Sequence, residues 1–155
     1  MIRHDGLTNC LAVLAKRGMD PRPRLEQVLP QLAAKVVGQV STGRMDVIIQ
    51  NGTARHLVDV VVTSPLSGGE RQVAACARRD GLACRRAAMA KRAKYDHHEL
   101  VPFSLETGGC LGSDARMLLK LMADCSPDPV REQQFANRAI ASVLQDGIAR
   151  QLMNH

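Results

Sequence analysis

Asp46 and Asp59 each interrupt an apolar run, residues 45–49 and 57–62. A carboxylate in such a setting is costly unless it is paired or holds a cation. Between the runs stands Asn51-Gly52, a two-residue turn signal, because both central residues of a type I′ connection take positive φ. With that turn, Gln50 faces Thr53, Asp46 faces Leu57 and Arg44 faces Asp59. Side chains alternate along a strand, so Asp46, Leu57 and Asp59 share a face. The acids are then diagonal neighbours, about 7–8 Å apart at the backbone. From there both can reach one divalent cation through oxygen ligands. The competing reading is an Arg44–Asp59 cross-strand ion pair with Asp46 exposed near an edge. The apolar residues around Asp59 argue instead for a strand covered on both faces.

A cation between two aspartates can bind a scissile phosphate and activate water. A lysine beside it orients the water or offsets transition-state charge. The position two residues after Asp59 is Val61, so a lysine has to come from elsewhere. Residues 70–95 read as a long helical segment, broken or bent at Asp80-Gly81. On its wheel Ala83, Ala87, Ala90 and Lys94 share a face that can pack closely on a sheet. Lys94 extends that face toward the hairpin acids and is the first candidate, with Lys91 on the flank as the second. The plainer reading of Lys94 is a cation favoured by the helix dipole.

The elements around these residues follow from pattern. Residues 5–17 form a helix with Leu7, Leu11 and Leu14 on one side and Gly18 as its stop. Pro30 forbids one continuous helix through 24–40, which is read as a helix or extended piece at 25–28 and a helix from about 31 to 37. Residues 100–106 form a strand reached by a parallel crossover. Two helices follow, 114–124 and 129–152, the second opened by Asp128-Pro129 and striped with Phe135, Ile140, Val143, Leu144 and Ile148. The expected fold is α/β, a small mixed sheet (hairpin plus crossover strand) flanked by helices. Its expected parts are an N-terminal helix and connector (1–23), a core (24–125) and a C-terminal helix packing on it (126–155).

At 155 residues the chain is long enough for a real core. It has no Trp, one Tyr and two Phe, which argues against stacking on exposed bases as a main binding mode. No apolar run is long enough for a transmembrane helix, and residues 1–5 lack the apolar stretch of a secretory signal. The five cysteines form no CxxC, so buried free thiols in an intracellular, nuclear or cytoplasmic setting are expected rather than a zinc site. Net charge is +6, and residues 70–95 hold all of the excess: eight basic side chains against two acidic ones. Arg71, Arg78, Arg85 and Arg92 recur every seven residues along an outer stripe. A polyanion, DNA above all, is the partner such a stripe implies, with a merely solvated helix face as the alternative.

One set of motifs in this order adds to that reading. They are Gly43-Arg44-Met45-Asp46-Val47-Ile48, then Leu57-Val58-Asp59-Val60-Val61-Val62-Thr63-Ser64-Pro65-Leu66, then Lys94-Tyr95, then Val101-Pro102-Phe103-Ser104-Leu105-Glu106-Thr107-Gly108-Gly109. The set resembles the restriction-endonuclease-like domain, of the PD-(D/E)XK nuclease superfamily, found downstream of reverse transcriptase in some non-LTR retrotransposons. The opening Arg3-His4-Asp5-x-Leu7 is similar to the segment that precedes that domain. The resemblance implies a restriction-endonuclease-like fold and a Mg²⁺- or Mn²⁺-dependent endonuclease that nicks target DNA. It also implies a reverse transcriptase as partner within a longer polyprotein. By it Asp46 and Asp59 are metal ligands, Lys94 is the catalytic lysine and Glu26 matches a glutamate ahead of the motif. Glu106, at the end of its strand, is a further candidate for the same site, as is Lys91. Arg44, Arg71, Arg78, Arg85 and Arg92 would contact nucleic acid. Met45 stands where the family has proline. The alternative is a catalytically inactive nucleic-acid-binding or interaction domain that keeps the fold, and behind it a structural remnant with no ligand.

Overall fold

The computed structural model describes residues 2–36 and 39–153. In chain order the elements are α1 (Ile2–Lys16), β1 (Arg24–Val36), β2 (Gln39–Asn51), β3 (Ala54–Thr63), α2 (Glu70–Ala77), α3 (Leu82–Lys94), β4 (Leu100–Glu106), α4 (Ser113–Asp124) and α5 (Pro129–Met153). The four strands make one mixed sheet in the order β1-β2-β3-β4. β1, β2 and β3 run antiparallel, and β4 lies parallel to β3 after the α2–α3 crossover.

Alternation along the strands sorts the core into two layers. Val47, Ile49, Val58, Val60, Phe103 and Leu105 pack with Leu7 and Leu11 of α1, Leu118 and Leu119 of α4, and Ile140 and Leu144 of α5. Ile48, Leu57 and Leu100 point the other way and pack with Met45, Leu32 and Tyr95, the residue that ends α3. The small buried side chains of α3, Ala83, Cys84 and Ala88, let that helix lie close to the sheet.

Several local expectations hold. Asp128 caps α5 by accepting the Arg131 backbone N–H at 3.1 Å, with Pro129 as the first helical residue. The crossover helix breaks between Ala77 and Leu82, around Asp80-Gly81. The buried Asp20 ties the connector after α1 to the sheet by accepting the N–H groups of Arg22 and Gln50.

Three expectations are corrected. The helix expected over 31–37 is strand: Arg24–Val36 is β1 throughout, save that residue 37 lies outside the described residues. Pro30 fits because β1 is an edge strand and its pairing with β2 shifts between Leu29 and Ala33, so a residue without an N–H breaks no ladder bond there. The hairpin turn is Gly52-Thr53, flanked by the pair Asn51↔Ala54, with Gly52 alone at positive φ (58°), the pattern of a type II′ connection. Phe135 is 41% exposed, with the Arg17 guanidinium 4.0 Å over its ring, and Ala136 takes its expected place in the core.

Candidate functional site

Moving the turn by one residue shifts every β2–β3 pairing by two. The pairs observed are Ile48↔Leu57 and Val47↔Val58. The next opposite positions are Asp46 and Asp59, so the acids are direct rather than diagonal neighbours. The shift is even, so by itself it leaves side-chain parity unchanged, but Asp46 turns to His4 on the α1 side while Asp59 meets Lys91 of α3.

The regular ladder stops at this point. Continued, the register would hand the Val60 N–H to the Met45 carbonyl, but Asp46 Oδ2 accepts it instead, at 2.7 Å. On the other side, Arg24↔Ile48, Leu25↔Val47 and Gln27↔Met45 pair while Glu26 and Asp46 do not. Glu26 sits at φ 51°, the one non-glycine among the described residues at positive φ. A kink follows in both strands. Leu25 and Val47 pack in the α1 layer, whereas Leu29 and Met45 pack in the α3 layer. Regular alternation would have kept each pair together. Asp46 therefore stands where the regular ladder ends, its Oδ2 held by the Val60 backbone N–H and by His4.

Three side chains converge there from three elements. His4 of α1 places Nε2 3.0 Å from Asp46 Oδ2. Asp59 of β3 is 4% exposed, and its Oδ1 accepts a hydrogen bond from Lys91 Nζ of α3 at 2.8 Å. Asp59 Oδ2 is buried and has no hydrogen-bond partner among the described residues. Burial pushes the Asp59 carboxyl above its ordinary range. The Lys91 ammonium pulls it back, and the Asp46 carboxylate beside it pushes the same way as burial.

The other sequence candidates lie elsewhere. Lys94 is exposed, with its ammonium 4.8 Å over the Tyr95 ring, so it is Lys91 that meets the acids. The inward face of α3 runs through Cys84, Ala88 and Lys91 toward Tyr95, one step round the wheel from the alanine face expected. The bulky Tyr95 and the apolar Cys84 set the helix's phase, which alanines spread round the whole helix cannot do. Glu26 is half exposed and pairs with Arg44 at 2.5 Å, so Arg44 does not bridge to Asp59. Glu106 is buried four residues beyond the position paired with Asp59, about 13 Å along the strand. Its carboxylate accepts the Cys84 N–H at 3.4 Å. Arg92 is engaged bidentately by Asp114, while Arg71, Arg78 and Arg85 are exposed with no ion-pair partner among the described residues.

His4 is the contact that sequence reasoning passed over. A histidine in the first turn of a helix carries no spacing signal, and its partner lies 42 positions away.

Among the described residues, no three His, Cys, Asp or Glu side chains converge as a ready metal cage. Magnesium-type sites commonly need only one or two carboxylates, with water and substrate oxygens completing the shell. Two adjacent carboxylates, one with a buried oxygen that no donor among the described residues satisfies, fit such a hard cation. All five cysteines are free, and only Cys84 among them is fully buried. Among the described residues no helix is long and apolar enough to cross a membrane. Comparison with family models, with curated proteins and with solved structures found no match to this chain.

Proposed function

We propose that this chain is a divalent-metal-dependent DNA endonuclease of the restriction-endonuclease-like kind. The observation that carries the reading is the Asp59 carboxylate. One oxygen is bound to Lys91, the other is buried without a donor among the described residues, and the Asp46 carboxylate stands beside it. The mixed α/β arrangement, with acids on adjacent strands and a lysine from the crossover helix, agrees with the resemblance read from the motifs.

Asp46 and Asp59 would hold Mg²⁺ or Mn²⁺. When bound, the ion would polarise a phosphodiester and lower the pKa of water. Asp46 is fixed by the Val60 N–H and His4, so its carboxylate needs little reorganisation to bind. Lys91, held by Asp59 and partly open to solvent, is placed to donate to the attacking water or to a phosphate oxygen. Its pairing with Asp59 keeps the cation at the acids rather than in bulk water. Exposed Arg71, Arg78 and Arg85 would contact backbone phosphates, which orient DNA without reading its sequence.

Supercoiled plasmid incubated with Mg²⁺ or Mn²⁺ tests the reading. Wild type is expected to produce open circles, and Asp59→Ala or Asp46→Ala to lower the rate by at least about a hundredfold. Equal background for wild type and both variants removes the enzyme reading. Salt-sensitive DNA binding that survives Asp59→Ala without any cleavage would then point to a non-catalytic nucleic-acid-binding domain.

A further inference from the structure

A second polar site lies on the far half of α3. A cavity of about 110 Å³ sits between the start of α3, β4 and the start of α4, with Ser104, Arg85, Arg116, Asp80 and Gly112 in its wall. Ser104 is 1% exposed, and its hydroxyl lies beside the weakly accepting Cys84 thiol, with no hydrogen bond of ordinary geometry among the described residues. That hydroxyl is aimed at Gly112, since a Cβ added there would stand 2.1 Å from Ser104 Oγ. Gly112 is the N-cap of the 12-residue α4, and no side chain caps that helix.

These features share a chemistry. The first turn of a helix presents N–H groups without intrahelical acceptors and the positive end of its dipole, a ready anion site. The buried Ser104 hydroxyl adds a donor. Two guanidinium groups supply charge and a fork suited to phosphate oxygens. One acid in the wall, Asp80, opposes two arginines. Of the acids near by, Glu106 accepts the Cys84 N–H, and Asp114 in the first turn of α4 is paired with Arg92.

We propose that this cavity binds a phosphoryl group through Ser104 Oγ, the first-turn N–H groups of α4 and Arg116. The inference does not rest on the nuclease reading, because none of these residues belongs to the Asp46–Asp59 site. The phosphoryl group comes either from a nucleic-acid backbone or from free phosphate. An ordered water is the competing occupant.

Calorimetric titration of the full chain in a chelating buffer tests this with no divalent ion at the acids. The probes are inorganic phosphate and, separately, a 5′-phosphorylated dinucleotide. Wild type is expected to bind phosphate. Arg116→Ala and Ser104→Ala are each expected to weaken binding about tenfold, and Asp59→Asn to leave it unchanged. Arg116 is exposed and the Ser104 hydroxyl makes at most a weak contact with the Cys84 thiol among the described residues, so both variants should fold, as circular dichroism would verify. A tighter dinucleotide with the same losses identifies the nucleic-acid backbone as the source. A dinucleotide excluded while inorganic phosphate binds identifies free phosphate. No phosphate binding by wild type, or binding indifferent to both substitutions, overturns the proposal and leaves water as the occupant.

Discussion

A carboxylate buried as deeply as Asp59 has lost most of its hydration, so what replaces the water decides its cost. Lys91 replaces part of it, and removing that ammonium leaves an uncompensated buried charge. Lys91→Ala is therefore expected to lower stability by on the order of 3 kcal/mol, read as a shift in urea midpoint, and to abolish nicking. His56 offers a separate test. Burial lowers its pKa from 6.5, Glu99 opposes the shift, and its Nε2 is buried without a partner among the described residues. Below pH 6.5 the unfolded chain takes up a proton that the folded chain resists, so stability falls as pH drops toward the folded-state value. His56→Leu should flatten that limb of a stability profile; an unchanged limb would show that another group carries it. The thiols differ as sharply. Burial pushes Cys84 up to about 11, whereas Cys125 is exposed. Since the thiolate is the nucleophile, alkylation at mildly alkaline pH should label Cys125 first and Cys84 only on unfolding, as peptide mapping would show.

At the scale of the element, the phase of α3 decides which lysine reaches the acids. Lys91 and Lys94 are three residues apart and nearly share a face on a wheel, so spacing alone does not separate them. The paired substitution does: Lys94→Ala should retain nicking within about twofold, because the side chain is exposed with its ammonium over the Tyr95 ring. Loss of nicking in Lys94→Ala but not in Lys91→Ala would reverse the assignment. The hairpin teaches a related lesson. Asn51-Gly52 signalled a tight turn, and one formed a residue later, around the glycine. Side-chain parity survived because a turn slides both strands together. β1 was missed because Pro30 reads as a break between two helical pieces; its place at the sheet edge became visible only with the pairing.

Across the whole molecule, a net charge of +6 is gathered in one crossover segment. Part of it is spent internally, with Lys91 on Asp59 and Arg92 on Asp114, and the exposed remainder includes Arg71, Arg78 and Arg85. If these carry the contact with DNA, log affinity should fall linearly with log salt. Each arginine removed from a phosphate contact should reduce the slope by about 0.9, measured by fluorescence anisotropy. A slope unchanged in the triple alanine variant would place the DNA contact on another face.

From the amino acids alone came most of the elements, the parallel crossover, the capped final helix and the nearness of two acids on adjacent strands. All of these rest on local rules: alternation, turn chemistry, caps and the reach of short segments. Tertiary structure alone decided that Lys91 rather than Lys94 meets Asp59, that His4 holds Asp46, that Glu26 and Glu106 stand apart, and that Pro30 lies within a strand. Each of these depends on which surface a distant element covers, and that choice is made by the packing of the whole core rather than by any short stretch of chain.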